Sequence, residues 1–303
     1  MAGGGFIERG VQSVSRIGRE GLYYARVGTI GLFASGPRNG TPIYDRDWDA
    51  LIVLDACRAD LLAAFEGEYP YLTAGEEIRS VASYSKSWMR RNFAPEHARQ
   101  IRETAYVTAN PFSGEVLDAS SFALLDEVWR YAWDEEEGTV LPRSVTDRAI
   151  AQHRAHRPER MIVHYMQPHH PFLDDDTAGF EPGTYPNPRT ADPWDQVRRG
   201  ERDLDDVLDS YRSNLRYALE EVSLLLSNLD AERVVITSDH GNALGEWGVY
   251  GHPAFAGIDA IRRVPWYVTS ARDTEEYDPD PNATAQPRRE YDPEAQLRQL
   301  GYR

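Results

Sequence analysis

Asp239 and His240 end an apolar run, Val234-Val-Ile-Thr-Ser-Asp-His-Gly241, and Asp55 ends another, Ala50-Leu-Ile-Val-Leu-Asp55. Apolar runs of this length read as buried parallel strands, and open α/β sheets bind ligands just beyond the carboxyl ends of such strands. Two carboxylates and an imidazole at neighbouring strand tips can converge on one divalent cation. A cation held there would lower the pKa of a nearby hydroxyl and orient it for in-line attack. A third run, Met161-Ile-Val-His-Tyr-Met166, leads into Gln167-Pro-His-His-Pro-Phe172 and delivers His169 and His170 to the same edge. Asp, His and Gly are also ordinary turn residues, so the Asp239-His-Gly run taken alone is equally a turn.

Four ordered motifs carry a family resemblance: Asp55-Ala-Cys-Arg-Ala-Asp60, His164-Tyr-Met-Gln-Pro-His-His-Pro-Phe172, Ser238-Asp-His-Gly-Asn-Ala-Leu-Gly-Glu-Trp-Gly248 and Gly251-His-Pro253. Together they resemble the alkaline phosphatase and sulfatase superfamily, in its sulfatase-like branch, from about Trp48 to Val268. The closing Gln296-Leu-Arg-Gln-Leu-Gly-Tyr302 is similar to the end of many such chains. The resemblance implies an α/β fold, a three-layer sandwich with a mostly parallel central sheet flanked by helices. It implies Asp55, Asp239 and His240 as metal ligands, with a nucleophile at the start of a helix between the first aspartate and the later motifs. Ser83-Tyr-Ser-Lys-Ser87 occupies that place. Ser85 is the preferred nucleophile because the helical pattern Trp88–Phe93 puts it at an N-terminus, where backbone N–H groups favour anionic oxygens; Ser83 and Ser87 are its rivals. His169 matches the histidine of the family's Asp-Pro-His-x-Pro pattern and His252 stands where sulfatases commonly carry a lysine, so both are candidate catalytic residues. His170, Asn110 and Arg58 are the candidate substrate-binding residues.

Departures from the family pattern shape the expected chemistry. The Cys-x-Pro-x-Arg motif that yields formylglycine is absent, and Ala56 replaces the second aspartate of type I sulfatases. Gln167 replaces the Asp that many relatives have before Pro-His. A single metal is therefore expected rather than a pair. Imidazole with carboxylates ranks manganese first, then zinc, then calcium or magnesium. The expected enzyme is a hydrolase or transferase of a phosphate-type ester acting through a serine nucleophile, on a small-molecule or glycan- or lipid-linked anionic substrate. A sulfate-ester hydrolase and a catalytically degenerate anion-binding protein are the alternatives.

The remaining chain must position these groups. With 303 residues and 41% hydrophobic content, the chain can build one sizeable α/β core. Net charge is −16, and of 33 basic residues only Lys86 is lysine. Such a surface excludes a basic nucleic-acid footprint and is similar to that of proteins from high-salt cytoplasm. A cytoplasmic enzyme is expected. Cys57, the only cysteine, precludes an intrachain disulfide and reads as a small buried hydrophobe. The division expected is an N-terminal extension over 1–45, a catalytic domain over 46–270 and an acidic tail over 271–303. Within the extension, residues 6–33 approximate a basic amphipathic helix that could lie on a membrane surface or pack on its own domain. Between Leu173 and Leu204, prolines and aspartates suggest a loop, either over the site or as a solvated connector. Val207 to Leu229 has helical spacing, and Arg263-Val-Pro-Trp-Tyr-Val268 suggests a strand. From Ser270 the chain reads as a loosely held polar tail ending in a short helix.

Overall fold

The computed structural model describes residues 21–23, 25, 27–29, 40–173, 192–254, 256–280 and 292–302. The strands among the described residues are β1 (Ala50–Leu54), β2 (Glu76–Arg79), β3 (Thr104–Thr108), β4 (Leu124–Glu127), β5 (Trp133–Asp134), β6 (Thr139–Val140), β7 (Arg160–Tyr165), β8 (Ala231–Thr237), β9 (Ala243–Leu244), β10 (Tyr250–Gly251) and β11 (Arg263–Ala271). Seven form one sheet in the order β2-β11-β8-β1-β7-β3-β4. All its described pairings are parallel except those of β11, which runs against both β8 and β2. β1 lies between β7 and β8, with Ala50 opposite both Met161 and Val234. The three apolar runs are thus adjacent and their carboxyl ends share one edge.

Alternation along each strand divides the core into two layers. Ala50, Ile52 and Leu54 of β1, Met161, Val163 and Tyr165 of β7, and Val234 and Ile236 of β8 face one layer. Leu51, Val53, Ile162 and Val235 face the other. Because both faces are dry, each strand must be apolar throughout, and burying one such side chain contributes about 1.5–3 kcal/mol. The helix Leu204–Leu226 covers the first face. Asp203 caps it by accepting from Asp205 N at 2.9 Å, and Val207, Tyr211, Leu215, Leu219, Val222 and Leu225 form its buried stripe. The helix Ser85–Asn92 covers the second face through Trp88 and Met89.

Two sequence expectations change here, and one open alternative is decided for the described part of its segment. Residues 174–191 of the proposed loop lie outside the described residues, but Pro193–Arg199 is a helix rather than loop. Asp192 caps it, Pro193 starts it, and Trp194 buries its ring against Phe172 and Tyr211. The last described segment of the tail, residues 292–302, is docked on the domain: its Leu297 and Leu300 are buried, and Gln296 Nε2 donates to Trp129 O at 3.2 Å. Its helix, Pro293–Gln299, carries apolar side chains too widely spaced to stand out in a polar stretch. Of the proposed amphipathic segment, residues 6–20, 24, 26 and 30–33 lie outside the described residues. Val27 is buried with Val249, Ile258 and Ile261, and Tyr23 Oη donates to Tyr250 O at 3.3 Å, so this part packs on its own domain. Among the described residues no helix is long and apolar enough to cross a membrane.

Candidate metal centre and nucleophile

Asp55 sits at the first position past β1, and Asp239 and His240 sit just past β8. The chain turns sharply after Asp55 because Ala56 adopts a left-handed conformation, φ 59°. That turn is fixed from three sides: Ala56 N donates to Asp239 Oδ1 at 3.0 Å, Cys57 N donates to Ser238 Oγ at 3.0 Å, and Tyr211 Oη donates to Ala56 O. The two strand tips are therefore tied together by Asp239 and Ser238.

Asp239, Asp55 and His240 are all fully buried. Asp239 Oδ1 accepts from Ala56 N and from His240 N at 2.8 Å, which leaves Oδ2 with no partner. Asp55 Oδ2 accepts from Asn110 Nδ2 at 2.7 Å and from Ser85 Oγ at 3.2 Å, and Oδ1 has no partner. His240 Nδ1 faces Gly241 O at 3.0 Å, so that nitrogen carries the proton and Nε2 presents a lone pair. Nε2 stands 3.3 Å from Asp239 Oδ2, 3.8 Å from Asp55 Oδ1 and 3.3 Å from Ser85 Oγ.

Two orphaned carboxylate oxygens in a dry site are costly unless a cation pairs with them. The ligand atoms of Asp55, Asp239 and His240 lie within 4.8 Å of one another. Donors around one cation at ~2.1 Å stand roughly 3.4 Å apart in a tetrahedron, and His240 Nε2 lies 3.3 Å from Asp239 Oδ2, 3.8 Å from Asp55 Oδ1 and 3.3 Å from Ser85 Oγ, close to that spacing. The residues present fit a single divalent cation.

Ser85 is the first residue of its helix and is fully buried. Its rivals fall outside this convergence: the described polar contacts of Asp55 and His240 involve Ser85, not Ser83 or Ser87. His164 was not singled out by sequence, yet it belongs to the cluster. It lies on the same sheet face as Trp88, Tyr106 Oη bonds its Nδ1 at 2.7 Å, and its Nε2 is 3.4 Å from Asp55 Oδ2. A polar residue inside an otherwise apolar buried strand is the signal that marks it.

The histidine loop reaches the same edge. His169 N donates to Asp55 O at 3.2 Å, and Asn214 Nδ2, from the long helix, donates to His169 O at 2.9 Å. His169 and His252 are brought to within 5.0 Å between ring centroids, and His252 lies 4.5 Å from His240. Burial pushes His169 down to about 3 and His170 down to about 4, and holds His252 well below the ordinary imidazole range, so all three are neutral. Between His169 and His252 stands Tyr302, whose hydroxyl is 3.2 Å from each Nε2. Sequence reasoning missed it because nothing local distinguishes a tyrosine in a polar tail.

The other candidates are placed as follows. Asn110 is fully buried and touches Asp55 directly. His170 is buried against the last described segment, near Gly301. Arg58 does not point at the cluster: its guanidinium is taken by Asp60 at 2.6 Å, Glu246 at 2.7 Å and Asn242 O at 2.7 Å, which makes it a brace between the β1 turn and the loop after β8. Gln167 Nε2 donates to Val140 O at 3.1 Å. Cys57 is buried, and burial pushes its thiol up, away from thiolate chemistry. An open hollow lined by Asp49, His153, Asp230 and Glu232 lies at the opposite end of the sheet, where Asp49 Oδ2 accepts from Arg233 N. It holds no comparable convergence of ligand atoms among the described residues.

No curated protein matches the chain. Among solved structures, the soluble domain of lipooligosaccharide phosphoethanolamine transferase A from Neisseria meningitidis is similar at 14% identity, covering 73% of this chain and 75% of that one with a TM-score of 0.44. A putative sulfatase from Bacteroides thetaiotaomicron is similar at 12% identity, covering 84% and 70% with a TM-score of 0.48. The zinc complex of the C-terminal periplasmic domain of EcEptC from Escherichia coli is similar at 11% identity, covering 77% and 76% with a TM-score of 0.48. The family model that matches is Sulfatase, over residues 80–288, a span that contains Ser85, His169, Asp239, His240 and His252. On that match the chain belongs to the sulfatase family.

Proposed function

We propose that the protein cleaves or transfers a phosphate-type ester, with Ser85 as nucleophile and one zinc or manganese ion held by Asp55, Asp239 and His240. The observation that carries this reading is the position of Ser85 Oγ, 3.2 Å from Asp55 Oδ2 and 3.3 Å from His240 Nε2, at a helix N-terminus and beside orphaned carboxylate oxygens. The cation would supply positive charge that makes the hydroxyl easier to ionise and offsets charge on the transferred group. Asn110 holds the Asp55 carboxylate, with His164 Nε2 standing 3.4 Å from it, and the helix N-terminus favours anionic oxygens beside Ser85. Ser85 Oγ forms the bond to phosphorus as the ester oxygen leaves. The proton lost by Ser85 balances the one the leaving oxygen requires, and His169 and His252, whose Nε2 atoms both meet the Tyr302 hydroxyl, are the groups that relay it. Water or an alcohol then releases the group from Ser85 by the reverse sequence.

Phosphate is favoured over sulfate by the side chain that stands at the helix start. Ser85 has one hydroxyl, whereas a formylglycine hydrate has a second with which to expel sulfate, and Cys57 is buried in a different element. The metal-loaded protein is to be assayed on matched aryl phosphodiester, monoester and sulfate substrates, with mass spectrometry of quenched enzyme. An adduct on Ser85, absent in Ser85→Ala, and at least ~10-fold higher kcat/KM for a phosphate ester are expected. An adduct elsewhere, or faster sulfate cleavage that depends on Asp239, overturns the assignment.

A further inference from the structure

We infer that Tyr302 is a built-in occupant of the subsite for the alcohol portion of the ester, and that its segment must withdraw before substrate can reach Ser85. The inference rests on the reading of Ser85 as nucleophile. Its physical basis is that the cluster is closed: Ser85, Asp55, Asn110, Asp239 and His240 are fully buried and His169 is 1% exposed. An ester must bring its phosphorus within roughly 3–3.5 Å of the attacking oxygen. The Tyr302 phenol instead fills the space between His169 Nε2 and His252 Nε2, 3.2 Å from each, and the His252 ring stands 4.5 Å from that of His240, which itself meets Ser85 Oγ at 3.3 Å.

The phenol is held as a ring-bearing alcohol would be held. Its ring stacks on His169, with centroids 5.4 Å apart and planes 21° apart, and meets Phe112 edge-on at 4.7 Å. His169 Nδ1 faces the carbonyl of His170, so its Nε2 offers a lone pair to the phenolic proton. His252 Nδ1 meets the Asn242 side chain at 2.6 Å, and its Nε2 is directed at the same phenolic oxygen. The phenol is half-buried and its hydroxyl is shared between two ring nitrogens, so another hydroxyl compound can take its place. This is the chemistry expected for an aryl or sugar alcohol.

The backbone that delivers Tyr302 is specific to the task. Gly301 has φ 82°, and a Cβ there would stand 2.9 Å from His170 Nε2. Tyr302 N donates to Leu297 O at 2.8 Å, closing the turn that aims the side chain inward. Leu297 and Leu300 anchor the segment, so the ring is presented by a docked element. An apparent affinity falls in proportion to the fraction of molecules that are open.

The test uses the full metal-loaded chain, bis(4-nitrophenyl) phosphate as substrate, and phenol as an occupant measured by calorimetry. Tyr302→Ala opens the slot. It should raise kcat/KM by about fivefold or more, through lower KM, and should bind phenol saturably where the parent protein does not. Gly301→Ala, which leaves the tyrosine in place but displaces its backbone, should raise kcat/KM in the same direction. A fall in kcat/KM in both Tyr302→Ala and Tyr302→Phe, with cooperative unfolding retained, would make the phenol part of the catalytic apparatus and overturn the proposal. Unchanged kinetics with no phenol binding would also overturn it. If no form of the protein turns over any ester while Tyr302→Ala still binds phenol, the occupied subsite stands and the reading of Ser85 as nucleophile fails.

Discussion

The carboxylate side of the site and the histidine side are built on opposite principles. Around Ser85, two buried carboxylates each keep one oxygen with no hydrogen-bond partner, and the nearest imidazole turns a lone pair toward them. A few ångströms away, His169 and His252 are neutral, packed on aromatic rings, and both meet the same tyrosine hydroxyl. The first side is incomplete without an external charge. The second is completed by the protein's own chain. On the proposed reading, a cation on the first side and an exchangeable hydroxyl compound on the second do not compete for ligands.

The largest expected effect breaks the carboxylate side. Asp239→Asn removes one charge and half of the orphaned oxygen set, but its amide oxygen can still accept from Ala56 N and His240 N. The turn after β1 should therefore survive while cation binding does not. Elemental analysis should fall from near one equivalent to a small fraction of it, and kcat/KM should drop by on the order of 10³-fold. Full metal loading in Asp239→Asn would show that the cation is held elsewhere.

A smaller effect sharpens the same side. Asn110 contributes no charge; it orients Asp55 through one 2.7 Å bond to Oδ2. Asn110→Ala leaves Oδ2 with the longer contacts to Ser85 at 3.2 Å and His164 at 3.4 Å. Removing such a supporting partner typically costs about 10- to 100-fold in metal affinity, so competition with a chelator should show a loss in that range. If affinity is unchanged while KM rises, Asn110 meets substrate instead of the cation site.

The carboxylate side was legible in the sequence because strand and site coincide there. A buried parallel strand must be apolar on both faces, so its end is conspicuous when the next residues include Asp55 or Asp239, and adjacency of the strands follows from the fold class. Ser85 was legible for a similar local reason, as the start of a helix. The histidine side was only half legible. His169 and His252 lie in short motifs, but Tyr302 reaches them from a helix whose anchoring residues, Leu297 and Leu300, are separated by polar ones, and only tertiary packing reveals the contact. Arg58 illustrates the converse. Its place beside a metal motif suggests anion binding, but Asp60 and Glu246 are close enough to take its guanidinium, and no sequence pattern encodes that distance.

The smallest effect concerns an acid on the histidine side. Asp192 lies next to Gly301 and accepts from Trp194 N at 2.8 Å, and burial pushes its carboxyl up to about 7. The folded form therefore binds the proton more tightly than the unfolded chain, whose carboxyl has the ordinary value of 3.8. Below the ordinary value both forms are protonated and no penalty exists. Between that value and about 7 the unfolded chain has released the proton and the folded one has not, so stability falls as pH rises. Above about 7 both are ionised and the whole penalty is present. An asparagine at this position is neutral throughout and still offers an oxygen to Trp194 N, so Asp192→Asn should unfold at nearly the parent temperature at about pH 4.5 and gain progressively toward about pH 8. With the residue only half-buried, solvent screens part of the penalty, and the gain at the alkaline end is on the order of 1–2 kcal/mol, or roughly 2–6 °C in Tm. A Tm difference that does not change across that pH range would place the Asp192 carboxyl in an environment no drier than the unfolded chain, and would leave the histidine side without a titrating acid beneath its tyrosine.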